Sequence, residues 1–237
     1  CHAFPMARKL RVFAVPDLHY PWCDQKSLKR VYDAIQDLKP DVVIQLGDVL
    51  DLYAWTRFAR SLDVMTPREE LEAGIGDYQV FWKTVKKIVG PKKRIIQLGG
   101  NHTDRLVKTA INKAPELAHL IDIKKALHID GLELHADSHD EVEIDGVLYI
   151  HGWMSGIGKH ARYFNMPVVH GHTHTGGLWT QTFREAGSKN TRCLFELDCG
   201  HLADPFQVPL MYRATKTVNW TKGFGVVDEW GPRFCPL

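Results

Sequence analysis

The chain has 237 residues, 44% of them hydrophobic, and a formal net charge of +2 at pH 7. That length and apolar share suffice for one substantial buried core, and so near-neutral a charge sets no requirement for a polyanionic partner. Five scattered cysteines argue against a disulfide framework, and neither a membrane-length apolar run nor a secretory leader is present, so a cytoplasmic protein without membrane attachment is expected.

In chain order, residues 1–5 read as a remnant of expression engineering ahead of a native start at Met6, leaving 6–237 as one domain. Leu10 to Val15 reads as a buried strand. Residues 24–38 then carry Leu28, Val31, Tyr32, Ile35 and Leu38 at helical spacing and stop before Pro40. Val42 to Leu46 is a second strand, and 68–89 repeats the helical pattern with Leu71, Ile75, Tyr78, Val85 and Ile88 before Gly90-Pro91. Strands joined by helices of this length predict right-handed βαβ crossovers. From 131 onward the elements shorten. Asp145-Gly146 predicts a hairpin turn between Glu141–Ile144 and Val147–Ile150, and a helix near 157–164 leads into Val168-Val169. Further strands are expected near 191–198 and 218–228, with no internal repeat or low-complexity segment.

Chemistry enters at the strand ends. Asp17-Leu18-His19 follows the first strand, Gly47-Asp48 the second, Gly100-Asn101-His102 a third, His151-Gly152 the run Val147 to Ile150, and Gly171-His172-Thr173-His174 the pair Val168-Val169. In shuffled chains of this composition a GHxH occurs in roughly 6% and a GNH in roughly 2%, so the two coincide about once in a thousand. Three further motifs at strand C-termini, where open α/β folds bind their ligands, make coincidence untenable.

In this order, Asp17-x-His19, Gly47-Asp48-x-x-Asp51, Gly100-Asn101-His102, His151 and Gly171-His172-x-His174 resemble the calcineurin-like metallophosphoesterases over roughly residues 10 to 175. The resemblance implies a four-layer αββα fold, an α/β sandwich of two mixed sheets flanked by helices. It also implies one metal on Asp17, His19 and His174, a second on Asn101, His151 and His172, and Asp48 bridging both. His102 would be the catalytic acid, with Asp51 accepting its proton and fixing its tautomer. The protein-phosphatase branch continues GDxxD with Arg-Gly and follows GNH with Glu. Here Leu52-Tyr53 and Thr103 stand at those places, which disfavours a Ser/Thr protein phosphatase and leaves Asp104-Arg105 without an assignment.

The residue types support that chemistry independently. Imidazole, carboxylate and amide donors without cysteine suit Mn, or Fe, Zn, Co or Ni, better than Mg or Ca, in an open catalytic site. Two such ions clamp the attacking and leaving oxygens of a phosphoester and generate hydroxide near neutral pH. With only Asp17 and Asp48 bringing negative charge, the loaded centre is net positive and attracts a phosphate ester. His2, His119, His128, His135, His139 and His160 lack such context and are expected on the surface or as satisfied core residues; His170 and His201 fall between support of the ligands and plain packing. The cations Lys83, Lys86, Lys87, Lys92, Lys93 and Arg94 read as a solvated helix tail.

Two segments are candidates for substrate choice. Trp55, Arg57, Phe58 and Arg60 leave the Asp51 loop together and suit a base and its phosphate, or else pack as an amphipathic turn. Residues 205–222, with Tyr212, Arg213, Lys216 and Trp220, either cap the site or close the second sheet. The resulting expectation is a binuclear phosphohydrolase, a phosphodiesterase or nuclease acting on nucleotides or nucleic acid, with a small-molecule phosphomonoesterase and a non-catalytic metal-binding scaffold as alternatives. The sequence leaves the oligomeric state open.

Overall fold

A computed structural model describes residues 9–57, 61, 64–184, 187, 191–207 and 219–237. Residues 1–5 and Met6, Phe58 and Arg60 of the Asp51 loop, and Tyr212, Arg213 and Lys216 lie outside the described residues. The first half alternates strand and helix: β1 (Val12–Val15), α1 (Gln25–Leu38), β2 (Val42–Gln45), α2 (Pro67–Val89) and β3 (Arg94–Leu98). It continues through α3 (Thr103–Lys113), the short turns α4 (Pro115–Ala118) and α5 (Ile123–Ala126), and β4 (Glu133–His135). The second half comprises β5 (Glu141–Ile144), β6 (Val147–Ile150), α6 (Lys159–Phe164), β7 (Val168–His170), β8 (Gly177–Arg184), β9 (Thr191–Asp198), β10 (Gly223–Asp228) and β11 (Gly231–Pro236).

Local chemistry sets the boundaries. The Asp24 carboxylate accepts from the Lys26 N–H at the start of α1, and Lys39 ends the helix in a left-handed conformation before Pro40. Thr66 and Glu69 cap each other in a reciprocal box with Pro67 in the first turn of α2, and Gly90 follows its last residue. The hairpin turn between β5 and β6 places both Asp145 and Gly146 at positive φ, the conformation that its Asp-Gly pair favours.

Two sheets result, one of six strands in the order β11-β10-β1-β2-β3-β4 and one of five in the order β5-β6-β7-β9-β8. Both are mixed: β1 to β4 run parallel with β10 antiparallel beside β1, while β6, β7 and β9 run parallel between antiparallel edges. Alternation along the strands builds separate cores. Phe13, Val15, Val43 and Ile95 face α1 and α2, meeting Leu28, Val31 and Ile35 from one helix and Tyr78, Phe81, Trp82 and Val85 from the other. Val12, Ala14, Val42, Ile44 and Ile96 point the opposite way, against Val142, Ile144, Tyr149, Val169 and Leu197 of the second sheet. Leu148, Ile150 and Val168 bury the outer face of that sheet under Ala161 and Phe164 of α6. The layers are helix, sheet, sheet, helix, with each fully buried large side chain contributing about 1.5–3 kcal/mol.

Among the described residues no helix is long and apolar enough to cross a membrane. The cationic tail of α2 is solvated or paired, with Lys93 on Asp41 at 2.7 Å and Arg94 on Glu133 at 2.8 Å.

Candidate metal centre

Five strand ends deliver the site. The turn after β1 brings in Asp17 and His19, that after β2 Asp48, and that after β3 Asn101 and His102. From the second sheet come His151, directly after β6, and His172 and His174, after β7. Glycine is required where these turns crowd together: a Cβ on Gly100 would strike Asp48, and one on Gly171 would strike the Asp17 carboxylate. His19, Asp48, His172 and His174 themselves sit at positive φ, between 46° and 69°, a left-handed conformation costly for such residues and concentrated at functional turns.

The side chains converge. Asp17, His19 and His174 offer one set of donor atoms mutually within 4.8 Å, and Asp48, His151 and His172 offer a second. Asn101 Oδ1 completes the latter, 3.0 Å from His151 Nε2 and 2.8 Å from His172 Nδ1. Asp48 stands between the sets: its Oδ2 is 3.3 Å from His151 Nε2, and it clusters with His19 and His102 as well. The His19 and His174 Nε2 atoms face each other at 3.1 Å, 2.9 Å separating the latter from Asp17 Oδ2. Nitrogen and oxygen donor atoms thus crowd together, a set that fits divalent transition ions.

The outer bonds fix which ring nitrogens point inward. His151 donates from Nδ1 to the Leu46 carbonyl at 3.0 Å, which turns Nε2 into the site. His19 Nδ1 faces Asp51 Oδ1 at 2.8 Å with the same effect. Asp51 also lies 3.1 Å from His102 Nδ1, and its carbonyl accepts from that nitrogen at 2.9 Å. One buried carboxylate therefore orients two histidines, one in each of the expected roles.

Electrostatics follow from burial and pairing. Burial works against the His151 charge, but Asp48 and Asp17 outweigh it and push the pKa up to about 9. Burial likewise opposes ionisation of Asp17, yet the His174 hydrogen bond and the His151 charge hold it down at about 2. His172 moves the other way, to about 4, through burial and the neighbouring His151 charge. His102 is lowered by burial despite Asp48 and Asp51.

Of the candidate substrate residues, Trp55 and Arg57 line the cleft over this centre, and Trp55 also packs against the core beneath α2. Trp220 lines it too, its ring 4.4 Å from that of His174. His201 stacks on His174 at 5.1 Å and leans at a tilt against Trp220 at 5.0 Å, and burial followed by the His174 and His19 charges drives its pKa down to about 2. It is a neutral wall behind a candidate ligand.

Two groups carry more than their sequence context suggests. Arg105 lies beside His102, its guanidinium 2.5 Å from Nε2 and donating to the Asp51 carbonyl at 2.9 Å; the helical offset of three residues was the available signal. Glu196 is fully buried in β9 and accepts from the Ala161 N–H at 2.8 Å. His160 and His170 converge on it at 3.3 and 3.0 Å. This trio has the spacing of a metal site, but its bonds show otherwise. His160 Nε2 accepts from the backbone N–H groups of Trp153 and Met154, so its proton lies on the Nδ1 that faces Glu196. The cluster is a hydrogen-bonded clamp joining the loop after His151 to the base of the Gly171–His174 turn, with His170 Nδ1 donating to the Gly171 carbonyl at 2.8 Å.

No protein-family model matches the chain. Two relatives are the Gene 54 proteins of Mycobacterium phages L5 and D29, 25% and 26% identical over 244 residues that span 95% of this chain and 91% of each relative. Among solved structures the chain is similar to a Vps29 single mutant from Entamoeba histolytica, at 11% identity and a TM-score of 0.44 over 96% of this chain and 98% of that one. It is similar also to Yfce, a phosphoesterase from E. coli, at 15% identity and a TM-score of 0.42 over 93% and 89%. The two stacked mixed sheets carry the Asp, His and Asn cluster at their strand ends.

Proposed function

We propose that this chain is a binuclear phosphodiesterase or nuclease acting on nucleotides or nucleic acid. The observation that carries the reading is the convergence of two donor sets on one carboxylate, Asp48, at the floor of a cleft of about 830 Å³. Asp17, His19 and His174 would hold one ion and Asn101, His151 and His172 the other, with Asp48 shared and Mn²⁺ the first choice. Two bound divalent ions would supply a water nucleophile ionised near neutral pH and positive charge at the phosphoryl oxygens.

The protein's own groups account for the rest. His102 lines the cleft, and its Nε2, faced by the Arg105 guanidinium at 2.5 Å, would take up a proton in place of that contact and pass it to the leaving oxygen. Asp51 meanwhile holds Nδ1–H and steadies the imidazolium. Trp55 and Arg57, at the rim, suit a base and a neighbouring phosphate.

Hydrolysis of bis-p-nitrophenyl phosphate and of p-nitrophenyl phosphate, with Mn²⁺ and with chelator, tests the reading. The diester should turn over faster, and only with metal. Asp48→Asn should remove activity and much of the bound metal together. A preference for the monoester would favour the phosphomonoesterase alternative, no turnover of either would favour a scaffold, and full turnover in chelator would sink the two-metal assignment.

A further inference from the structure

Helix α3 starts one residue past His102 and runs along the cleft for 11 residues. Its stripe Arg105, Lys108, Thr109 and Asn112 lines the cavity, at the spacing that puts residues on one helical face. Lys108 and Asn112 stand exposed on that face, while Arg105 and Thr109 are half-buried, with Thr109 Oγ1 donating to the Trp55 carbonyl at 3.5 Å. Among the described lining residues the cations are Arg57, Arg105 and Lys108, and the one carboxylate is Asp48, already committed to the proposed centre. The wall is thus positively charged before any ion is bound.

Its dimensions select among anions. From Arg105 to Asn112 the helix rises about 10 Å, roughly three nucleotides of a stacked strand at 3.4 Å each. The cavity, about 830 Å³ in volume, has room for a short segment of one strand. Arg105 spends one N–H on the Asp51 carbonyl and another toward His102 Nε2, leaving three of its five donors for an anion. Lys108 is 67% exposed and paired with Asp104, at 2.8 Å in an i,i+4 contact of the kind that is weak in water and exchanges readily for a phosphate.

We propose that Arg105, Lys108 and Asn112 form a track for the phosphates flanking the scissile one, and that the substrate is single-stranded nucleic acid. The proposal rests on the phosphodiesterase reading above and adds the residues that set substrate length. Arg105 contacts the first flanking phosphate, and Lys108 and Asn112 hold the next.

The test is the ratio of kcat/KM for a short oligothymidylate to that for the thymidine dinucleoside monophosphate, which has no flanking phosphate, in Mn²⁺-loaded protein. The ratio should be about tenfold or more in the wild type, the scale of one charged hydrogen-bonded contact. Arg105→Ala should collapse it toward one through KM, and Arg105→Lys should restore part of it. Lys108→Ala, at an exposed position, should lower it about threefold and flatten the salt dependence of oligonucleotide cleavage. If Arg105→Ala fails to fold, Lys108→Ala and Asn112→Ala decide. An unchanged ratio in Arg105→Ala, whatever the absolute rates, would reduce Arg105 to a positioning group for His102 and overturn the track. Cleavage of bis-p-nitrophenyl phosphate by wild-type protein, run alongside, separates the two failures. A ratio near one with that diester cleaved overturns the track alone, whereas no cleavage of the diester overturns the phosphodiesterase reading itself.

Discussion

Asp51 and His102 stand 3.1 Å apart yet should respond differently to mutation. His102 touches Asp48 through its backbone N–H, at 2.8 Å, while its ring reaches Asp51 and Arg105. Its truncation leaves the donor sets intact, so His102→Ala should keep bound metal and lose about 10²–10⁴ in turnover, least for substrates whose leaving group needs no proton. Asp51 orients His19 as well, at 2.8 Å, so Asp51→Asn should cost about 10–100-fold in metal affinity together with activity. Metal content measured beside turnover separates the two; full metal occupancy in Asp51→Asn would remove its role in orienting His19. Both residues were legible from the motifs, since spacing alone names them. Arg105 was not, because a cation one turn into a helix looks the same whether it faces solvent or a cleft.

At the scale of elements, the turns that carry the donors are bent against residue preference. His174 sits at φ 63°, where glycine rests without strain. His174→Ala and His174→Gly both remove the imidazole, but the glycine variant should be the more stable by about 1 kcal/mol in metal-free thermal melts. Equal melting temperatures would mean that the turn is not strained. On the loop after Asp51, Arg57→Ala should weaken nucleotide substrates by about 1–3 kcal/mol, whereas Trp55→Ala should also lower the melting temperature, because its ring packs on the core. Legibility of elements tracked burial. β1 and β6 are apolar throughout and β2 is apolar up to Gln45, all three buried on both faces and hence visible as runs. The three-residue β4 is half-buried and β8 is an edge strand largely open to solvent, so neither carries the alternation that betrays a strand. The exposed apolar pattern of α3 is thin for a related reason: one of its faces borders the cleft instead of the core.

For the whole molecule, pH and metal loading compete for the same atoms. The ordinary pKa of histidine is 6.5 and that of His151 in the fold is about 9, so its pairing with Asp48 and Asp17 stabilises metal-free protein fully below about pH 6.5. That contribution disappears as the pH rises to about 9. Metal-free melting temperature should therefore fall across this window, while apparent metal affinity rises as fewer protons must be displaced. Melts in chelator at several pH values check the first, and titration with Mn²⁺ the second. A flat metal-free profile would show that the buried pairs are not charged as described.

Asp17, His19, Asp48 and Asn101 belong to turns of the first sheet, and His151, His172 and His174 to turns of the second. Between the sheets lies a seam of Val12, Ala14 and Ile44 against Tyr149, Val169 and Leu197. Ions held by both halves would rivet that seam at one end, so the sheets could not part without emptying the centre. Metal release and sheet opening would then be a single slow event, and amide hydrogen exchange in β1 and β7 should slow together on loading, with a dependence on free Mn²⁺ that follows its dissociation constant. Exchange in β8, at the far edge and away from the rivet, should change little; uniform slowing everywhere, or none in β1 and β7, would show that the ions do not join the two halves.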